Sequence, residues 1–212
     1  MNSLTSRVFL MACDVDGKGL TNKRDLGLVL RGAVLTELAM AGLLADSAGK
    51  AAAVGADLPA DLVLADALVE VRESPVRWKK LARSHGRETY VWVRDSLIEL
   101  GVIRVGSRQV LGVVPVERVT AVDPAAVRAL QEHVASIVRS TVPVREIARE
   151  DAALVGLADA GNLLSKSIAA GELRKHRSRV RALAELGGPA VLAASAAVEH
   201  KRRVRLAAGN SG

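Results

Sequence analysis

Residues 26–44, LGLVLRGAVLTELAMAGLL, constrain the fold more than any other stretch of the chain. Thr21 and Asn22 stand just before it as candidate N-caps, so a helix is expected from there to about Leu44. Leu26, Leu30, Val34 and Leu38 make one stripe at i+4 spacing, while Leu28, Val29, Ala33, Leu35 and Met40 cover most of the remaining cylinder. A helix that is apolar nearly all round must be enclosed by other elements, which predicts a central place in a helical domain. Its rare charges, notably Arg31 and Glu37, then need a reason. A buried guanidinium requires a carboxylate or a bound anion to offset its lost hydration, and Glu37, Asp25 or Glu88 is the internal partner the sequence offers.

The rest of the chain supplies elements to surround that helix. The Ala/Gly-rich residues 45–60 suggest a loop or a short hairpin. Asp61 to Val71 reads as a helix stopped before Pro75, followed by a short helix from Val76 to Ser84. Glu88 to Leu100 forms the next, ended by Gly101 in the C′ position. The period then changes. Residues 102–116, VIRVGSRQVLGVVPV, predict a β-hairpin with apolar β-branched arms and a turn at Gly106-Ser107. Asp123-Pro124 opens a helix whose core face is Val127, Leu130, Val134 and Ile137. An apolar segment from Pro143 to about Ile168 and two basic helices, 171–186 and 189–207, complete one compact, mainly α-helical domain over residues 1–207, with 208–212 as a frayed tail.

The chain has 212 residues, half of them hydrophobic and a quarter charged, with a mean hydropathy of +0.21. No run approaches the ~18 uninterrupted apolar residues of a membrane span. The first fourteen residues do not read as a signal peptide, and a cytoplasmic address is the expectation. A lone cysteine, Cys13, excludes an internal disulfide and reads as a buried structural thiol. The four histidines, His85, His133, His176 and His200, lack metal-ligand spacing and read as surface residues; no metal and no cofactor is expected. Asp14-Val15-Asp16-Gly17 lacks the sixth-position Gly and twelfth-position Glu of a calcium loop. Neither a nucleotide-binding glycine motif nor a nucleophile elbow occurs, so an enzyme is the weakest class. Trp78 and Trp92 fall in or beside apolar stripes and read as core.

Charge is concentrated at one end. Residues 171–212 hold nine Lys or Arg against three acids, a surplus of six out of the seven net positive charges of the chain. Solvated helix faces would account for this, as would an anionic partner. Nucleic acid is the poorer partner. A helix followed by a hairpin has the order of a winged helix, yet ETYVWVRDSLIEL carries only Arg94 among three acids and would repel a duplex. A membrane surface is the better one, since each Lys or Arg near anionic lipid contributes roughly 1 kcal/mol.

A resemblance sharpens this choice. The stretch 26–44, with its Arg31-Gly32 pair inside an apolar helix, resembles the signature helix of the Golgi phosphoprotein 3 family. DLVLADALVEV (61–71), VRDSLIELGVI (93–103) leading into the hairpin, and AALVGLADAGNLL (152–164) follow in the same order, so the likeness covers most of residues 3–190. It implies a single mainly helical domain in which amphipathic helices wrap a central apolar group. The β-hairpin, here Val110, Leu111 and Val113, is implied in membrane contact and self-assembly. The eukaryotic members are peripheral membrane adaptors that bind phosphatidylinositol 4-phosphate and the cytosolic tails of glycosyltransferases. The composition suggests a bacterial, specifically actinobacterial, homologue, in which the organelle-bound part of that role does not carry across.

The resemblance implies the family's phosphate pocket, of which this sequence keeps two of four positions. Arg31 stands at the signature-helix Arg, and Asn22 at the position of a Trp, so that ring is missing. The two Arg spaced i, i+3 fall at Arg87 and Tyr90, keeping the first and replacing the second. Lys23, Arg24 and Arg94 are nearby basic residues able to assist. The resemblance therefore implies an adaptor on a membrane surface, binding an anionic phosphoinositide-type head group, with a protein client and self-association as further expectations. A cytoplasmic protein–protein scaffold that never meets lipid is the alternative.

Overall fold

The structure, a computed structural model, describes residues 3–16, 18–110 and 114–209, and for 107–110 and 114–116 the backbone alone. It is mainly helical with two small antiparallel sheets. The expected central helix is α2, Lys23–Met40. Every residue from Val29 to Thr36 is buried. Around it pack α1 (Leu4–Ala12), α3 (Leu62–Val69), α5 (Gly86–Glu99), α7 (Arg149–Ala160) and α10 (Pro189–Gly209). Burying a Leu such as Leu30 or Leu35 contributes about 2 kcal/mol, and α2 supplies such side chains on all its faces. Gly32 lets α10 come close, because a Cβ there would overlap the Ala194 methyl group. α7 is the second enclosed helix, buried continuously from Ala152 to Ala158 and covered by α9 (Arg177–Gly187).

Several expected elements differ in detail. α1 has no counterpart in the sequence reading; Ser3 caps it by accepting the Ser6 amide at 3.1 Å, and Val8, Phe9 and Met11 join the core. Residues 45–60 do contain a hairpin, β1 (Leu44–Ser47) and β2 (Lys50–Ala53). β3 (Val76–Arg77) extends it, which shortens the expected helix 76–84 to a single turn, α4 (Trp78–Leu81). Trp78 is buried, and its indole N–H donates to Asp46 at 2.6 Å. Trp92, by contrast, is 39% exposed, since α5 turns Thr89, Val93 and Leu97 inward and leaves Trp92 off that stripe.

The large hairpin is β4 (Ile103–Val110) with β5 (Val114–Ala121), in register from Ile103↔Ala121 to Val110↔Val114. Gly106 and Ser107 are not its turn. They lie within β4, opposite Arg118 and Glu117, because the ladder continues through the glycine. Leu111 and Val113 lie outside the described residues, as does the side chain of Val110. Asp123 caps α6 (Pro124–Arg139) through the amides of Ala125 and Ala126, and Val127, Val134 and Ile137 are buried, with Leu130 partly so. The basic C-terminal region is α8 (Ala170–Lys175), α9 and α10. Ala208 and Gly209, expected in a frayed tail, belong to α10.

Candidate functional site

α5 begins against the second turn of α2. A Cβ on Gly27 would collide with the carbonyl oxygen of Gly86, so glycine at both positions brings the two helix starts into backbone contact. Neither start carries a side-chain cap. The residues before them, Asn22 (φ 50°) and His85 (φ 54°), are left-handed, and neither side chain bonds a first-turn amide. Asn22 instead donates to the carbonyl oxygens of Gly161 (2.9 Å) and Asn162 (3.2 Å). Two uncapped helix N-termini, each with about half a positive charge, thus converge on one spot; Asp25 and Glu88 in their first turns offset part of that charge, and the basic side chains around them restore a site that favours anions.

A cavity of about 560 Å³ opens there. Lys23, Arg24, Arg83, Arg87 and Lys201 line it with His200, and Leu28, Tyr90, Ala197 and Val204 form its apolar parts. Among the described residues, no Asp or Glu lines it. Lys23 Nζ is 3.6 Å from Glu117 and 5.6 Å from the centroid of the Tyr90 ring. Lys201 donates to the Arg24 carbonyl oxygen and lies 3.6 Å from Asp25. The side chains of Arg24, Arg83 and Arg87 have neither hydrogen bond nor ion pair among the described residues. Tyr90 stacks on Phe9 with centroids 6.0 Å apart, and its hydroxyl is buried without a partner among the described residues. Burial, and next the charge of Glu117, push that phenol up to about 12, so it stays a neutral donor.

Of the residues expected in a phosphate pocket, the structure brings Arg87, Tyr90, Lys23 and Arg24 together. Arg31 is elsewhere. It is 1% exposed, donates through Nε to the Leu81 carbonyl at 3.3 Å, and forms an ion pair with Glu70. The expected internal partners are not the ones used. Glu37 accepts the Thr5 amide at 2.8 Å, Asp25 faces α10, and Glu70 reaches Arg31 from the end of α3. Asn22 borders a shallower recess with Lys23, Arg24, Asp25 and Arg205. Arg94 is engaged by Asp95 (2.7 Å) and Glu117 (3.2 Å); the Asp95 hydrogen bond holds its guanidinium above the ordinary arginine value. Sequence reasoning missed Arg83, His200 and Lys201 as members of the cavity. A second cavity of about 510 Å³, between α3 and α5, is lined by Asp61, Asp66, Asp95 and Glu99 and would repel an anion.

The sequence profile of the Golgi phosphoprotein 3 (GPP34) family matches residues 4–200. The chain belongs to the Golgi phosphoprotein 3 family. The match runs from α1 through His200 and includes every cavity residue except Lys201 and Val204. Golgi phosphoprotein 3 is not an enzyme family. No curated protein matches the chain. Among the described residues, no helix is long and apolar enough to cross a membrane, and no group of three or more His, Cys, Asp or Glu is placed to hold a metal ion.

Proposed function

We propose that this Golgi phosphoprotein 3 relative is a peripheral membrane adaptor whose basic cavity takes the phosphorylated head group of an anionic phospholipid. Phosphatidylinositol 4-phosphate is the head group that family membership favours. One observation carries the reading: Arg24, Arg83 and Arg87 share a cavity without an acid and without a partner among the described residues. Cations gathered this way repel one another until an anion enters. A phosphomonoester carries about −1.5 to −2 at pH 7, and the lipid phosphodiester adds a further charge, which suits three guanidinium groups and two uncapped helix starts.

The roles follow from the placement. Arg87 and Arg83 are the main phosphate ligands, at the start of α5 and just before it; Arg24 and Lys23 approach from α2. Tyr90 contributes its ring to the cavity wall, its hydroxyl being buried away from the opening. Arg31 does not line the cavity and its charge is answered by Glu70, so in this reading it supports the fold rather than the ligand. The adaptor role, with a protein client and self-association, rests on family membership.

Co-sedimentation tests the reading with phosphatidylcholine vesicles containing phosphatidylinositol 4-phosphate, phosphatidylinositol or phosphatidylserine. The wild type binds the first best. Arg83→Ala with Arg87→Ala lowers that binding about a hundredfold, roughly one charge-assisted contact per Arg, while unfolding stability moves by less than about 0.5 kcal/mol. Binding to every anionic vesicle alike would reduce the cavity to surface electrostatics. Failure to bind any vesicle would favour a scaffold that never meets lipid.

A further inference from the structure

Three walls enclose the basic cavity, and the third belongs to the end of α10. Ala197, His200, Lys201 and Val204 all line it. Their i, i+3, i+4, i+7 spacing places them on one face of the helix. Ala197 is buried in the core, but beyond Val198 apolar packing does not hold that face down. The buried residues of α10 end at Val198, and from 199 to 209 no residue is buried; Val204 is 55% exposed. Charge does the holding instead. Asp25 on α2 is 5% exposed and faces three cations from α10: Arg202 Nε at 3.0 Å, Arg205 Nη1 at 3.4 Å and Lys201 Nζ at 3.6 Å. Arg202 reaches on to the Ala160 carbonyl at the end of α7, at 3.1 Å. All three cations lie beyond the residues that the family profile matches.

We infer that Asp25 is a positioning residue for the anion cavity: by clamping Lys201, Arg202 and Arg205 it holds the last turns of α10 in place as the third wall. The inference rests on the anion-binding reading above and adds to it a part that the family match does not cover. It also fixes an unusual sign. Asp25 is a negative charge beside a site for anions, so charge alone predicts that removing it strengthens anion capture. The clamp predicts the reverse, because the wall carrying His200 and Lys201 would come loose.

The decisive variant is Asp25→Asn in the full chain, with two probes for the shared phosphomonoester chemistry: phosphatidylcholine vesicles containing phosphatidylinositol 4-phosphate, and inorganic phosphate. Binding of the variant falls about tenfold, the size of one lost charge-assisted contact, and amide hydrogen exchange over 197–209 speeds up. The probe that the wild type prefers tells whether a lipid head group or a free phosphate is the source. If Asp25→Asn does not fold, Arg205→Gln serves, since Arg205 lies outside the main cavity and is half-exposed. The clamp predicts the same loss for it at low and high salt, whereas long-range attraction predicts a loss that high salt erases. Tighter or unchanged binding by Asp25→Asn, or a salt-erased effect of Arg205→Gln, overturns the inference and leaves the cavity reading standing. A wild type that binds neither probe overturns both.

Discussion

Arg24 and Arg31 lie two turns apart on one helix and meet opposite fates. Arg31 is enclosed by protein, and its charge is spent on Glu70 and the Leu81 carbonyl. Arg24 stands at the helix start beside Arg87 and Arg83, with its guanidinium unpartnered among the described residues. The difference separates a cation that builds the fold from cations that, on the proposed reading, take a ligand. A guanidinium in the interior must be matched by the chain itself, or the fold bears the desolvation cost. A group of them at a cavity mouth is tolerated by solvent and becomes a binding site when an anion arrives.

Mutation makes the contrast measurable. Arg31→Met leaves Glu70, whose side chain is only 23% exposed, with the Ser84 hydroxyl (3.3 Å) and His85 (3.8 Å) but without its buried cation, and is expected to lower unfolding stability by about 3 kcal/mol in urea titrations. A loss below about 0.5 kcal/mol, the size of a surface change, would mean that Arg31 is no structural pair. Acid should erode the α10 clamp next. Burial pushes the Asp25 carboxyl up, but the Arg202 hydrogen bond and the charges of Arg205, Arg202 and Lys201 outweigh it and leave it below the ordinary carboxylate value. A depressed carboxylate stabilises above its unfolded-state value, and that share is lost as pH falls through the folded-state value. The stability gap between wild type and Asp25→Asn is therefore full at neutral pH and closes in acid, and a gap independent of pH would contradict the clamp. The smallest effect belongs to Tyr90→Phe. Removing a buried hydroxyl that has no partner among the described residues should leave the free protein equally stable or about 1 kcal/mol more stable, while binding of phosphatidylinositol 4-phosphate vesicles stays within about twofold of wild type, since the hydroxyl is closed off from the cavity. Thermal melts with and without vesicles check both outcomes.

Much of this architecture was legible in the sequence. The all-round apolar pattern of 26–44 places α2 at the centre, Asp123-Pro124 marks the start of α6, and Gly101, with φ 65°, ends α5 as expected. Local rules read these features because their causes are local. Gly106-Ser107 misled for the same reason: it has turn chemistry, but the pairing of β4 with β5 decides where the chain reverses. The site was legible only in pieces. Arg87, Tyr90, Lys23 and Arg24 sit near helix starts that the pattern reveals, whereas Lys201 and His200 join them only through the packing of α10 on α2. Glu70 escaped because it is 39 residues from Arg31 and ends a different helix. Sequence flags a buried charge; only the fold reveals its partner.

The account turns on which arginine meets the ligand, and one titration decides it. Wild type, Arg87→Ala and the pair-replacing double variant Arg31→Met with Glu70→Gln are compared for binding to phosphatidylcholine vesicles containing phosphatidylinositol 4-phosphate, each at a temperature where melts show it folded. Replacing both partners of a buried pair often leaves a fold intact, so the double variant is a fair probe. The account predicts that Arg87→Ala loses about tenfold in affinity while the double variant binds within about twofold of wild type. Lost binding in the folded double variant, with Arg87→Ala unaffected, would contradict it and return Arg31 to the head-group site.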